Sequence, residues 1–492
     1  MLIAAAFAVA FALAFKWIAE VGGIEKALFG FSVGIDAGDF PVTATRSAVY
    51  PLFLALARPL GLESVFAIQS FLYFAPGIAL FARLARLLPP GRLSSWMVAL
   101  AGVATLLNPR VLEYPLSISE EALFIPALLA LLVALLAILE RPRISSAAIS
   151  GLVTGLAIGI RPIGVAFAPM LIAAPIVAVF VADRERRRWR PALFGALAAA
   201  AATAAVVGGE RAAHAIAVGD TQLRSVLGMN LLGKLPFVVE RGDLTASSAD
   251  AAEGEVLQAV ESALLRSAAL ARASDAELKT WDGRQFFTNY LEFGSQMNGL
   301  IPDLQQAMAA LANFRGRPVD AVGLDISLVV IEKRPLRFAA RVLGNFVRFL
   351  VLAEIPGTAG REEAEAMSRH LGQDWPGPAF WGGFDRMAKV AKSYRLSAWV
   401  LRAAHAAALV GIALAIGFSA WAAVRRRLIA LEVGLGLVVA AGLLTYLLFC
   451  AFAINVQTRY VLTVWPLIVL SAVLALLIPA RYLFAPPSTP RL

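Results

Sequence analysis

The chain has one cysteine, Cys450, three histidines and only 16% charged residues among its 492. A lone cysteine excludes a disulfide framework and any site built from several thiolates. His214, His370 and His405 are scattered and form no constellation with acid–base or metal-ligand spacing, so they read as structural. Acidic side chains are scarce too, 34 against 44 lysines and arginines, for a formal net charge of +10. That excess invites a nucleic-acid partner. The basic residues instead collect in short loops between apolar runs, where a positive-inside orientation puts them, and nucleic acid is excluded as a partner. Period-two alternation is missing from the apolar runs, which excludes a membrane β-barrel.

What the sequence has in abundance is apolar surface. The hydrophobic share is 59% and the mean hydropathy +0.74, against roughly 45–50% apolar in a soluble domain. The chain therefore reads as an all-α polytopic membrane protein. Met1 to Ala19 lacks a basic leader region and a small-x-small cleavage site, so it is expected to stay as a first span. Further spans are expected at Leu62–Leu88, Leu93–Leu107, Ser119–Leu139, Ser145–Ile160, Ile163–Ala182 and Pro191–Gly208, then at Ser397–Val424, Leu428–Ile454 and Tyr460–Ile478. The total is about ten. Three regions follow: an N-terminal membrane core over 1–209, an outer, mainly helical region over 210–396 between spans seven and eight, and a three-helix membrane part over 397–492.

The loops sort by charge. Arg83, Arg86 and Arg92, then Arg141 and Arg143, the Arg184–Arg190 cluster and Arg425–Arg427 mark the cytoplasmic side. The alternate loops carry one arginine each, Arg110, Arg161 and Arg459, against the topogenic bias. Arg161 ends a segment with Gly151, Gly155 and Gly159 at every fourth position, a spacing that lets helices approach closely, before Pro162 stops the span. It either snorkels to the headgroups or grips a phosphate.

In the outer region, Ala251–Ala276 is expected to be helical. Over Pro335–Glu354, Arg337, Arg341, Asn345 and Arg348 form a polar stripe on an otherwise apolar helix, the pattern of a helix lying in the membrane interface. Arg224 and Lys234 flank a stretch with Gly228 and Gly233 that fits no phosphate-binding loop motif.

Two outer loops carry acids. Asp36 and Asp39 stand three residues apart and could deprotonate an acceptor hydroxyl or hold a divalent ion, or belong to a solvated turn. Ser117 and Glu120 match a capping box, with Glu121 beside them in the first helical turn; either acid could also orient an acceptor or a metal.

Taken in order, several motifs resemble the polyprenyl-phosphate-sugar-dependent glycosyltransferases of the GT-C superfamily, the relatives of protein mannosyltransferases and aminoarabinose transferases. They are Asp36 to Phe40, the run from Arg46 through Tyr50-Pro51 to Leu56, Asn108 with Ser119 to Phe124, Gly151 to Pro162, and Arg459-Tyr460. The likeness covers the first third of the chain and about its last forty residues.

The resemblance implies an enzyme of the bacterial cytoplasmic membrane with its site facing the periplasm. Such an enzyme transfers a hexose or pentose, with inversion, from a polyprenyl-phosphate carrier to a glycolipid, polysaccharide or protein acceptor. Asp36, then Asp39, is the expected base, with Glu120 and Glu121 orienting acceptor or metal. Arg161, Arg459, Arg46, Lys234 and Tyr460 are the expected donor-phosphate ligands. No organic cofactor is implied; a divalent cation, Mg or Mn, is admitted. The relatives often place two adjacent acids in the first loop, and this chain does not. A flippase of lipid-linked glycans, or a ligase or polymerase of the O-antigen type, is the alternative reading.

Overall fold

Every described element is helical, and no strand occurs among the described residues. The computed structural model describes residues 48–87, 92–112, 114–115, 119–181, 189–218, 227–247, 250–277, 302–350, 384–425, 430–453 and 458–484. In chain order the helices are α1 Val49–Ala57, α2 Leu62–Leu87, α3 Arg92–Leu106, α4 Pro109–Leu112, α5 Glu121–Glu140, α6 Ile144–Ile160, α7 Ala168–Val181 and α8 Trp189–Val218. They continue as α9 Leu227–Leu232, α10 Ala251–Glu277, α11 Pro302–Arg315, α12 Val319–Lys333, α13 Pro335–Leu350, α14 Phe384–Val424, α15 Leu431–Ala453, α16 Thr458–Thr463 and α17 Trp465–Phe484.

Six stretches among the described residues are long and apolar enough to cross a bilayer: Ser64–Arg86, Glu121–Glu140, Pro162–Val181, Trp189–Ile216, Val400–Val424 and Leu431–Ala453. Three more apolar helices, Ser95–Leu106, Ile144–Ile160 and Trp465–Pro479, are shorter. A full crossing takes about 20 helical residues. The helical, membrane-embedded class is thus established, with six crossings by length and composition; the first expected span, Met1–Ala19, lies outside the described residues.

The helices group into two units. The first takes in the described residues up to Leu223, with Arg402–Tyr446 and Leu462–Leu492; the second takes in Arg224–Leu401 and Leu447–Val461.

In the first unit α5 is central. Its sequence is apolar all round, and 72% of its apolar window is buried, against 17% for α8. A helix without a polar face is at home only when surrounded, so α8 is left to present Leu193, Phe194 and Leu197 outward. The glycine spacing of α6 does what its period suggests. A methyl placed on Gly151 would overlap the Ala199 backbone carbonyl of α8, and one on Gly155 would come within 2.7 Å of Val206 Cβ. At this closest approach the Thr203 hydroxyl donates to the Gly151 carbonyl at 2.9 Å. At the other side of the unit, Trp465 Nε1 donates to Ala104 O at 2.8 Å, tying α17 to α3.

The second unit has its own core, in which Leu231, Leu257, Leu264, Met308, Leu311 and Ile326 meet. Glu261 of α10 is buried there and accepts the backbone amides of Gly242 at 2.7 Å and Leu244 at 2.8 Å, fixing a turn in which Gly242 takes φ +88°. Helix is found over Ala251–Glu277, where the composition of the segment predicts it. Gly228 backs directly onto the Asp320 carbonyl of α12, and Asp320 Oδ1 accepts the Met229 amide at 2.9 Å. The close approach that this glycine permits is therefore between two helices.

Helix α13 carries the expected polar stripe, and the structure buries its C-terminal part, Asn345 and Arg348, while Arg337 stays exposed. Asn345 is fully buried and accepts from Arg348 Nη1 at 3.0 Å; the Arg341 guanidinium lies 3.8 Å from the centre of the Phe237 ring; Arg337 pairs with Glu240. The exposed face is the apolar one, with Leu336, Leu343 and Val347. Phe338 meets Phe452, in the last turn of α15, edge to face at 5.7 Å.

Candidate functional site

The first unit carries a cluster of buried charges at one end of α5, α6 and α8. Helix α5 begins at Glu121 and α6 ends at Ile160 with Arg161 as its cap. The two helices are antiparallel neighbours, so the N-terminus of one and the C-terminus of the other share an end. A carboxylate at the first and a cation at the second each offset a helix dipole. They also bind one another: Arg161 Nη1 donates to Glu121 Oε1 at 2.7 Å, and Arg161 Nε lies 3.8 Å from Glu120 Oε2. The Arg161 side chain is 12% exposed and that of Glu121 9%. The Arg161 side chain is thus turned toward protein carboxylates. The guanidinium also lies 5.9 Å from the centre of the Phe124 ring, which leads through Phe167 to Tyr446 in a chain of aromatic contacts at 5.6 and 5.7 Å.

Ser117, the expected capping residue, lies outside the described residues. Glu120, taken from sequence as the third residue of the helix, stands at the cap position itself with no side-chain capping bond, and its carboxylate is turned toward Arg161. Opposite charge close by outweighs what the carboxylate would gain from a single backbone amide.

Around this pair sit three residues that the sequence reading did not single out. Tyr50 of α1 is fully buried and donates to Gln69 Oε1 at 3.0 Å; Gln69 in turn donates to the Pro115 carbonyl at 3.0 Å, so α2 holds both the phenol and the loop before α5. Burial pushes the Tyr50 phenol well above its ordinary range; the Ser119 backbone opposes this, and the nearby charges of Glu121 and Glu120 add to it. Glu210 of α8, also buried, accepts the Ala48 amide at 3.2 Å. Gly159 leaves room for Glu210, whose Cγ would stand 3.4 Å from a methyl there, and His214 lies one turn further along α8, fully buried. The only sequence signals were the Tyr50-Pro51 pair and an acid, Glu210, at the end of an apolar run.

Asp36, Asp39 and Arg46 lie outside the described residues. Arg459 stands in α16, and Tyr460, next to it, is 6% exposed. Lys234 belongs to the second unit, fully buried between α9 and the turn Leu235–Phe237. Glu120, Glu121 and Arg161 are thus the expected residues that the structure brings together. Among the described residues no group of three His, Cys, Asp or Glu stands ready for a metal ion.

Chemically, the cluster presents a cation of fixed position beside two carboxylates, in a largely water-excluded setting at the end of the bundle. A guanidinium has five N–H donors and can hold a carboxylate and a phosphate oxygen together. Its opposite number is the other end of α5 and α6, where Arg83 pairs with Glu140 and Arg141 and Arg143 follow. Comparison of the chain with protein-family models, with curated proteins and with solved structures finds no match.

Proposed function

We propose that the chain is an integral-membrane glycosyltransferase that moves a sugar from a polyprenyl-phosphate carrier to an acceptor on the outer side of a bacterial cytoplasmic membrane. The observation that carries this reading is Arg161, held by Glu121 and beside Glu120 at the end of the bundle away from Arg83, Arg141 and Arg143. With the positive-inside bias, the arginine-rich end is cytoplasmic and the Arg161 end faces outward. A lone outer arginine, fixed by carboxylates at headgroup height, suits a lipid phosphate.

In this reading the acceptor oxygen attacks the anomeric carbon from the side opposite the carrier. The bond between that carbon and the phosphate oxygen breaks, and polyprenyl phosphate leaves with the electron pair. The acceptor proton passes to a first-loop carboxylate, Asp36 first and Asp39 second. Arg161 stabilises the charge that grows on the leaving phosphate. Inversion follows from the single displacement. Tyr50, through Gln69 and Pro115, keeps α1 and the loop before α5 in register, which positions the carboxylate pair. A metal is given no step.

The experiment is a comparison, by mass spectrometry, of envelope glycolipids, polysaccharides and glycoproteins from cells with and without the protein. One sugar of defined mass missing from an acceptor, with its carrier-linked form accumulating, supports transfer. Loss of the same sugar with its carrier-linked form confined to the cytoplasmic leaflet would favour a flippase instead, and unchanged glycans would refute both readings.

A further inference from the structure

At the arginine-rich end of the first unit, α2, α5, α6, α7 and α15 line an open cavity of about 500 Å³. Its lining is mixed: Arg83, Arg141 and Arg143 are cationic, and Leu139, Val181 and Leu431 give it an apolar wall. The cavity also contains Glu140, but that carboxylate is engaged by Arg83, Nε to Oε1 at 2.8 Å and Nη2 to Oε2 at 2.5 Å. Arg83 and Glu140 therefore balance each other, and Arg141 and Arg143, both exposed and separated only by Pro142, set the sign of the site. The Ser146 hydroxyl adds a donor from the next turn.

We propose that this cavity binds the phosphate of an anionic phospholipid from the leaflet on the arginine-rich side. Two guanidiniums, with no ion pair among the described residues, match a phosphodiester, and basic pockets between membrane helices hold such headgroups. The apolar wall gives the glycerol and the first acyl methylenes a surface that a free phosphate ion would leave bare. The site lies at the opposite end of α5 from Arg161 and is independent of the transfer reaction proposed above.

The test uses the full-length protein in detergent and native mass spectrometry with phosphatidylglycerol and phosphatidylethanolamine, with inorganic phosphate in a parallel thermal-shift series. Two double variants carry the same charge change: Arg141→Gln/Arg143→Gln within the cavity, and Arg86→Gln/Arg425→Gln at exposed positions outside its lining. The expected result is retention of phosphatidylglycerol over phosphatidylethanolamine, weakened about 30-fold in the cavity variant, the effect of two surface cations, and little changed in the other. Stabilisation by inorganic phosphate that equals the lipid's and disappears in the cavity variant would overturn the lipid assignment and give the site to a soluble phosphate. Equal loss in both variants, or equal retention of the two lipids, would overturn the proposal.

Discussion

The Arg161–Glu121 pair sets a measurable coupling. With Nη1 and Oε1 at 2.7 Å and the two side chains 12% and 9% exposed, the charge centres sit about 4 Å apart, and an effective dielectric near 20 gives an attraction of about 4 kcal/mol. Desolvation of both ions cancels part of this, and removing one partner strands the other, so a buried pair broken from one side loses about 3–5 kcal/mol. Arg161→Met should therefore destabilise the protein by about 3 kcal/mol and Glu121→Gln by about 2 kcal/mol. Because each single variant already forfeits the same contact, the double variant should cost about 2 kcal/mol less than their sum. Glu120→Gln, at 3.8 Å and 26% exposed, serves as the internal control and should cost less than about 1 kcal/mol. Unfolding in mixed micelles, followed by tryptophan fluorescence, measures all four. Additivity of the Arg161 and Glu121 variants to within about 0.5 kcal/mol would refute the reasoning, since it would mean that the two groups do not depend on each other.

Three further outcomes follow from the packing and the second unit. Gly151→Ala should drive α6 away from the Ala199 carbonyl and destabilise the protein by about 3 kcal/mol, read by the same unfolding assay, whereas Gly208→Ala, with open space at the position, should not. In Asp243, burial opposes ionisation, but the Arg334 hydrogen bonds, the Glu240 amide and the charges of Arg334 and Lys333 outweigh it and hold the carboxyl below its ordinary value. Its stabilising contribution is then complete above the unfolded value of about 3.9 and is lost as pH falls below that toward the folded value; Asp243→Asn should remove this part of the acid limb in a stability-versus-pH series. Finally, Leu343→Trp on the exposed face of α13 should be quenched by brominated lipids in nanodiscs, whereas a tryptophan at Val322, buried in the core of the second unit, should not.

How far the sequence was legible depends on whether a signal was local. Apolar runs such as Glu121–Glu140 and Leu431–Ala453 announce themselves because a bilayer demands continuous apolar length. The four-residue glycine spacing of α6 also translated directly into contact with α8. The orientation of α13 did not: its period is plain in the sequence, but which face meets protein depends on Phe237 and Glu240, about a hundred residues earlier. The same holds at the site. Arg161 stood out by running against the charge bias, yet its partner was decided by the antiparallel ends of α5 and α6. Tyr50, Gln69 and Glu210 each look ordinary in their own segment and acquire meaning only when α1, α2 and α8 converge. Glu120 reads locally as part of a cap, and only the fold brings its carboxylate to 3.8 Å from a cation forty residues further along.

Turnover by the purified protein in nanodiscs bears most directly on the account, with polyprenyl-phosphate-linked sugars as donors and release of free polyprenyl phosphate as the readout. The account predicts sugar-dependent release that falls by about 10²–10⁴ in Asp36→Asn, or in Asp39→Asn if that acid is the base, while donor binding persists. Arg161→Lys should weaken both, because a point charge replaces a planar fork. Release that is undiminished when both aspartates are replaced, or transbilayer movement of the intact donor without any release, would contradict it.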